Sequence, residues 1–336
     1  MLHGEFRLSI KVINSLIYNN TIQKSYFVLL IISLVHSVVV PNTFAQKTST
    51  QNFKTATKPE DAGFSSKGIQ RIDKLLTEYV NEGVMPNAVT FIARHGKIVS
   101  FKAYGLRDIA SNTKLKKDDI FRIASQTKAI TSVALMMLYE EGKFMLDDAV
   151  SIYIPEFKNP QVLVNLDEKS FHYFTRAAKR EITIRDLLTH TSGIPYSSPL
   201  HQKENIPTVN SLEEENIASV IKRLAKLPLN HDPGEKFTYG LNTDVIGYLI
   251  EIISGKTLDV FFRERIFNPL GMKDTYFYLP ENKKNRLVTL YSKDSVDGAL
   301  YLAKELDNKT YPVAGAQKYF SGGAGLVSTI EDYAKF

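Results

Sequence analysis

The sequence predicts an α+β fold, and three observations carry that expectation. An amphipathic helix comes first, two strands joined by a tight turn follow it, and a long apolar helix comes next. Consecutive antiparallel strands with helices gathered around them suit this class, whereas a doubly wound parallel sheet would alternate strand and helix along the chain. With 336 residues, 43% of them apolar, the chain can bury one large core or two that pack together.

Ahead of these elements, Lys24 precedes an apolar run that ends at Val40, followed by Pro41 and the ending Thr43-Phe44-Ala45. This reads as a secretory signal peptide over residues 1–45, which implies a secreted or periplasmic protein. The run, at about fifteen residues, is short of the roughly 20 that a membrane span needs, so no stable span is expected after cleavage. An uncleaved anchor is the other reading of the same run. The 23 residues before Lys24 are long for the leading segment of a signal peptide, through an early start site or an unusual leader. Residues 46–61 are polar and read as a linker to a domain covering 62–336.

The first helix is SSKGIQRIDKLLTEYVNEG, with Ile69, Ile72, Leu75, Leu76 and Val80 on one face and Gly83 at its end. The strands are Asn87 to Arg94 and Lys97 to Tyr104, rich in β-branched and aromatic residues, and His95-Gly96 between them is a hairpin signal. In the third element, Phe121 to Met145, Ile130, Val133, Ala134, Met137 and Leu138 recur at helical spacing, with Ala129, Leu135 and Met136 opposite. A helix apolar nearly all round is expected to be buried, and Gly142 closes it.

This helix begins at or just after Ser125, which gives the serine three assets: free N–H groups of the first turn, the positive end of the helix dipole, and Lys128 at i+3. Those are the needs of an acyl-transfer nucleophile, because a serine hydroxyl requires a base at neutral pH. The pattern S-x-x-K also occurs at Ser111 with Lys114 and at Ser219 with Lys222. The first lies in the polar stretch ASNTKLKKDD, a turn, and the second inside the amphipathic run SLEEENIASVIKRLAKL; only Ser125 opens a buried helix. An ordinary N-cap serine is the plainer reading of Ser125.

Farther on, TIRDLLTHTSGIP reads as a short helix in which Thr183 and Asp186 form a capping pair and Gly193 and Pro195 end it. His190, in its last turn, suits the helix dipole and is read as structural ahead of catalytic. Pro233-Gly234 marks a turn, and Asn242 or Thr243 caps an apolar helix that ends at Gly255, so Tyr239 stands in a loop just before a helix. Thr257 caps the next helix, running to Pro269. The stretch from Asp274 to Pro312 carries little pattern. SGGAGL then leads into STIEDYAKF, a helix with Ser328 as cap and Glu331 at N3.

Basic and acidic residues, 42 and 36, are interspersed, so the charge of +6 reads as a solvated surface and no nucleic-acid partner is expected. Cysteine is absent, which excludes disulfides and thiol catalysis. The seven histidines show no ligand spacing, so no metal or cofactor is expected.

Taken in order, FRIASQTK, LYEEGKFMLDDAVSIYIPEF, ITIRDLLTHTSG, the tyrosine loop with DVIGYLIE, NPLGMKDT and SGGAGLVST resemble the serine β-lactamase and penicillin-binding-protein superfamily, and most closely its class C β-lactamase-like esterases. The resemblance covers residues from about 58 to the end. It implies an antiparallel sheet flanked by helices, with a helical subdomain inserted between its parts. It also implies a catalytic set in which Ser125 attacks the acyl carbonyl, Lys128 assists its deprotonation and Tyr239 is the general base that later protonates the leaving group. The Ser125 N–H would be one oxyanion donor. The substrate implied is a small ester, amide or β-lactam.

Two features depart from the family pattern. Tyr239-Gly240-Leu241 puts leucine where β-lactamases have the asparagine of Y-x-N, which favours an ester or related acyl bond over β-lactam or D-amino-acid peptide hydrolysis. No K-T-G or H-x-G follows Tyr239, so the domain is expected to be incomplete at its C-terminal end. A reading of a different class follows from this: a truncated remnant or binding module that keeps the fold without the chemistry. No G-x-S-x-G elbow supports an α/β-hydrolase.

Overall fold

In a computed structural model, residues 53–209, 214–295, 298–303 and 311–336 are described; all belong to one compact unit spanning 48–336. The signal-peptide segment, 1–45, lies outside them. The linker expected as far as Asp61 is in part structured. Lys54–Thr55 form strand β1, where the Lys54 N–H donates to Gly96 O and the N–H of the following Ala56 to Ile98 O, and Pro59–Ala62 form a 3-10 turn.

Helix α1, Ser66–Asn81, starts at Ser65, whose Oγ accepts the Gly68 N–H, and ends ahead of Gly83. Strands β2, Asn87–Arg94, and β3, Lys97–Asp108, pair antiparallel from Asn87 opposite Gly105 to Arg94 opposite Lys97. His95 and Gly96 turn the chain with φ of 51° and 73°, the left-handed pair that a two-residue hairpin demands. β1 joins β3 in parallel, and β4, Thr113–Lys114, pairs its far end, so the sheet runs β1-β3-β2 with one parallel edge.

Phe121–Arg122 form β5, which pairs antiparallel with β10, Val327–Ser328, near the other end of the chain. Among the described residues, what lies between these strands is a largely helical insertion, as expected. It opens with helix α2, Thr127–Glu140, and continues through the hairpin β6–β7 (Gln161–Leu166, Tyr173–Ala177), α3 (Ile184–Leu188), α4 (Ile217–Leu224) and α5 (Asn242–Ser254). Helix α6, Leu258–Phe262, then widens into a π turn over Arg263–Phe267. Between it and the return strand lies a small hairpin of β8, Tyr291–Lys293, and β9, Leu300–Leu302.

Helix α2 is the spine of this insertion. Ile130, Ala134, Leu135 and Leu138 face α5 in a core shared with Val245, Ile246 and Leu249, and α5 in turn meets the helix that carries Phe261 and Phe262, all nearly inaccessible. Its burial is less complete than its composition suggests, because Val133 is 44% exposed. Thr127 and Thr131 are wholly buried instead: Thr127 Oγ1 accepts the Leu326 N–H (3.2 Å) and Thr131 Oγ1 donates to Gly322 O (2.7 Å). The inward face is therefore rotated toward residues 321–326, where polar pairing outweighs side-chain hydropathy.

The capping pair at Thr183 and Asp186 forms as expected, reinforced by Arg180, which grips both Asp186 oxygens. Three caps differ from expectation. Thr257 stands at the start of α6, but its hydroxyl donates to Asp259 and caps no N–H. Helix α5 is preceded by Leu241 with no side-chain cap, and the final helix, α7 (Ile330–Lys335), is capped by Thr329, not Ser328. Ser328 is unavailable because it lies in β10 and shares a hydrogen bond with Thr275.

Candidate active site

Three elements converge on Ser125. The serine sits in a 3-10 turn, Ala124–Gln126, immediately ahead of α2, so Lys128 lies in the first turn of the helix on the same side. Ala124 takes φ of 43°, a left-handed conformation that costs an alanine energy and is concentrated at functional sites. The loop before α5 brings Tyr239. Its hydroxyl lies 2.7 Å from Ser125 Oγ, and Lys128 Nζ lies 3.3 Å from the same oxygen and 4.8 Å from the centre of the tyrosine ring.

The structure thus brings together all three residues singled out in the sequence. Partial burial pushes the Tyr239 phenol up, but its neighbours Lys128 and Ser125 outweigh that, and its pKa falls below the ordinary tyrosine value. A phenol so placed can take the serine proton and return it, while the ammonium favours the phenolate.

Lys128 is steadied from below. Its Nζ donates to Gly323 O at 2.7 Å, and Gly323 belongs to the SGGAGL stretch, which the sequence marks only as a turn without the family's third motif. Residues 321–326 run along the start of α2, with Ile123 N–H reaching Leu326 O and the two threonines holding Gly322 and Leu326. From the other side Asp244 of α5, fully buried, accepts from Ser321 Oγ (2.6 Å) and the Gly323 N–H (3.2 Å). Burial raises the Asp244 carboxyl pKa, which these hydrogen bonds and the Lys128 charge oppose in part. A Cβ on Gly323 would sit 2.4 Å from Asp244 Oδ2, so only glycine lets this loop approach. Sequence reasoning missed Asp244 and the loop's role, and the paired glycines were the available signal.

The Tyr239 loop is fitted as closely. A Cβ on Gly240 would meet Ile194 O at 1.9 Å. Leu241, at the position of the expected asparagine, is 1% exposed and packs in the core, while Asn242 turns its amide to His190 Nδ1 at 3.0 Å. His190 lies just beyond the last turn of α3 and closes it through its backbone: in the left-handed conformation its N–H reaches Leu187 O at 3.3 Å and the Thr191 N–H reaches Asp186 O at 2.8 Å. Its ring stacks on Tyr239 at 5.0 Å, and Tyr196 stacks on Tyr239 as well, at 5.8 Å.

A profile of the Beta-lactamase family matches residues 72–336. The chain belongs to that family. Within it, the chain is 33% identical over 269 residues to Protein Rv1367c of Mycobacterium tuberculosis, covering 78% of this chain and 63% of that protein. It is 30% identical over 219 residues to Esterase EstB of Burkholderia gladioli, covering 64% and 53%. Among solved structures, EstCE1, described as a hydrolase with promiscuous acyltransferase activity, superposes with a TM-score of 0.66 at 27% identity, covering 80% of this chain and 70% of that one. The α+β, β-lactamase-like fold and the kinship with its esterase branch are therefore as expected. The chain spans just under two thirds of the length of the first of these relatives. Among the described residues no helix is long and apolar enough to cross a membrane, and no group of His, Asp and Glu side chains could hold a metal ion.

Proposed function

We propose that this beta-lactamase-family chain is a serine hydrolase that cleaves a carboxylic ester or a related acyl bond through an acyl-enzyme on Ser125. The observation that carries the reading is the 2.7 Å contact of Ser125 Oγ with Tyr239 OH beside Lys128. Tyr239, as phenolate, takes the Ser125 proton while Oγ bonds to the acyl carbon; the tetrahedral oxyanion is met by the Ser125 N–H at the positive end of α2. Tyr239 then gives the proton to the departing alkoxide. A water that passes its own proton to Tyr239 attacks the acyl-enzyme, and as the acid leaves Tyr239 returns that proton to Ser125 Oγ, which restores both the serine and the phenolate. Throughout, Lys128 remains a cation held by Gly323 O, which keeps the phenolate accessible at moderate pH.

Two supports favour an ester over a β-lactam: the similarity to EstB and EstCE1, and the burial of Leu241 where an asparagine would face substrate. The segment from Lys24 to Ala45 supports action outside the cytoplasm. The test is turnover of a short p-nitrophenyl ester beside a chromogenic β-lactam, with labelling by a fluorophosphonate probe. Ester turnover and a probe adduct on Ser125, both lost in Ser125→Ala, are expected. Folded wild-type protein that neither turns over the ester nor takes up the probe would leave a binding module.

A further inference from the structure

The reaction above leaves His190 without a part, yet its surroundings are unusually determined. Its backbone takes φ of 56°, the left-handed turn that closes α3, and so sets the direction in which the ring leaves the helix end. Its carbonyl accepts the Thr238 N–H at 2.7 Å, which ties it to the Tyr239 loop. Its Nδ1 faces two donors, the Gly240 N–H at 3.3 Å and the Asn242 side-chain amide at 3.0 Å. The orientation of that amide is fixed in turn: Ser192 Oγ accepts the Ile194 N–H at 3.1 Å and spends its own proton on Asn242 Oδ1, so the NH2 end of Asn242 faces the imidazole. A ring nitrogen that accepts from two N–H groups carries no proton, so the imidazole is neutral with its hydrogen on Nε2. The ring then lies nearly flat on Tyr239, at an interplanar angle of 21°.

We propose that His190 is a positioning residue for Tyr239: its neutral ring and its Nδ1 acceptor hold the phenol in line with Ser125 and Lys128, and protonation of Nδ1 releases it. The proposal rests on the acyl-enzyme reading above. Protonation would turn Nδ1 from acceptor to donor against Gly240 and Asn242, and would set a cation near Lys128. The titratable groups against the ring are Lys128 from α2 and Tyr239 from the loop; Phe237, Gly240 and Asn242 carry no charge. Burial and then the Lys128 charge lower the histidine pKa, so the neutral form persists through neutral pH and is lost on the acid side.

Two variants separate the ring from its acceptor. His190→Asn keeps an acceptor oxygen near the Nδ1 position and tolerates the left-handed backbone, but cannot stack or titrate. His190→Phe keeps the ring and loses the acceptor. Steady-state ester hydrolysis and fluorophosphonate labelling would be followed in the full chain from about pH 4 to pH 8, across the histidine range. The expected result is a fall in kcat of roughly ten- to a hundredfold in His190→Asn with KM little changed, as for a misplaced catalytic group. The phenol-dependent rise with pH should persist, whereas the additional, lower inflection that titration of His190 gives the wild type should disappear in both variants.

Wild-type kcat and an unchanged acid limb in His190→Asn would overturn the proposal. So would a fall matched by an equal loss of folded protein, with the shape of the pH profile retained, because a purely structural histidine gives that result. Failure of the wild-type protein to label at Ser125 removes the acyl-enzyme reading and this proposal with it, whereas labelling at rates indifferent to His190 sinks this proposal alone.

Discussion

Ser125 with Lys128 and Ser219 with Lys222 share one local pattern, a serine at the opening of a helix with a lysine one turn on, and the tertiary structure gives them opposite fates. Ser219 sits at N3 of α4. Its N–H donates to Asn216 Oδ1 at 3.0 Å and its hydroxyl to Asn216 O at 2.8 Å, so it is consumed in capping. Lys222 reaches across to Glu156 at 3.1 Å, an ion pair at the surface. At Ser125 the neighbours are a phenol and the lysine itself, and Lys128 finds a neutral carbonyl, Gly323 O, in place of a carboxylate. The lysine that meets a carboxylate is spent in that pair; the one that meets a carbonyl keeps its charge for the phenol. Reactivity here lies in the partners each pair is denied as much as in those it has.

The largest expected break in this comparison is Ser125→Ala, which should lower ester turnover by at least about a thousandfold, as loss of a nucleophile does. Ser219→Ala in the same assay should leave turnover unchanged. Next, Tyr239→Phe keeps the ring stack and removes the proton carrier, for an expected loss of roughly a hundred- to ten-thousandfold in kcat. The same kinetics as a function of pH sharpen the electrostatic side. Activity that needs the phenolate should rise with pH through a value below the ordinary tyrosine range, and Lys128→Met should move that limb upward, because Lys128 is what lowers it. An unshifted limb in Lys128→Met would sink the phenolate role.

Gly323→Ala should act through geometry, its Cβ forcing the loop from Asp244 and carrying the Lys128 acceptor with it. A destabilisation of about 1–3 kcal/mol in denaturant unfolding is expected from such overpacking, together with reduced turnover. The smallest effect belongs to the other pair: Asn216→Ala should cost about 1 kcal/mol of stability through loss of the α4 cap, with unchanged kcat. Were Asn216→Ala to lower kcat while Gly323→Ala did not, the contrast between the two pairs would be reversed.

Much of this was legible in the sequence where the signal was local. The hairpin was bounded by its alternation and by His95-Gly96, and the observed β2 matches residue for residue; α1 and the cap at Thr183 also follow from short-range pattern. The illegible parts share a cause. His190 closes α3 as its position implies, but sequence distance hides Tyr239, 49 positions later, against which its ring lies. Asp244 looked like an ordinary first-turn acid, since nothing near it in the chain says that Ser321 and Gly323 will close over it.

By itself, the sequence determined the class of fold, the helices and hairpin, and the three residue types of an acyl-transfer site, because periodicity, caps and turns act over a few residues. The sequence also set Ser125 apart from Ser111 and Ser219 as the serine that opens a buried helix; only the tertiary structure supplied the partners that stand around it. The site needs Tyr239 and Gly323, 114 and 198 positions from Ser125, to stand within hydrogen-bonding distance of one seryl-lysyl turn, and packing of α2 against α5 and the 321–326 strip is what places them there.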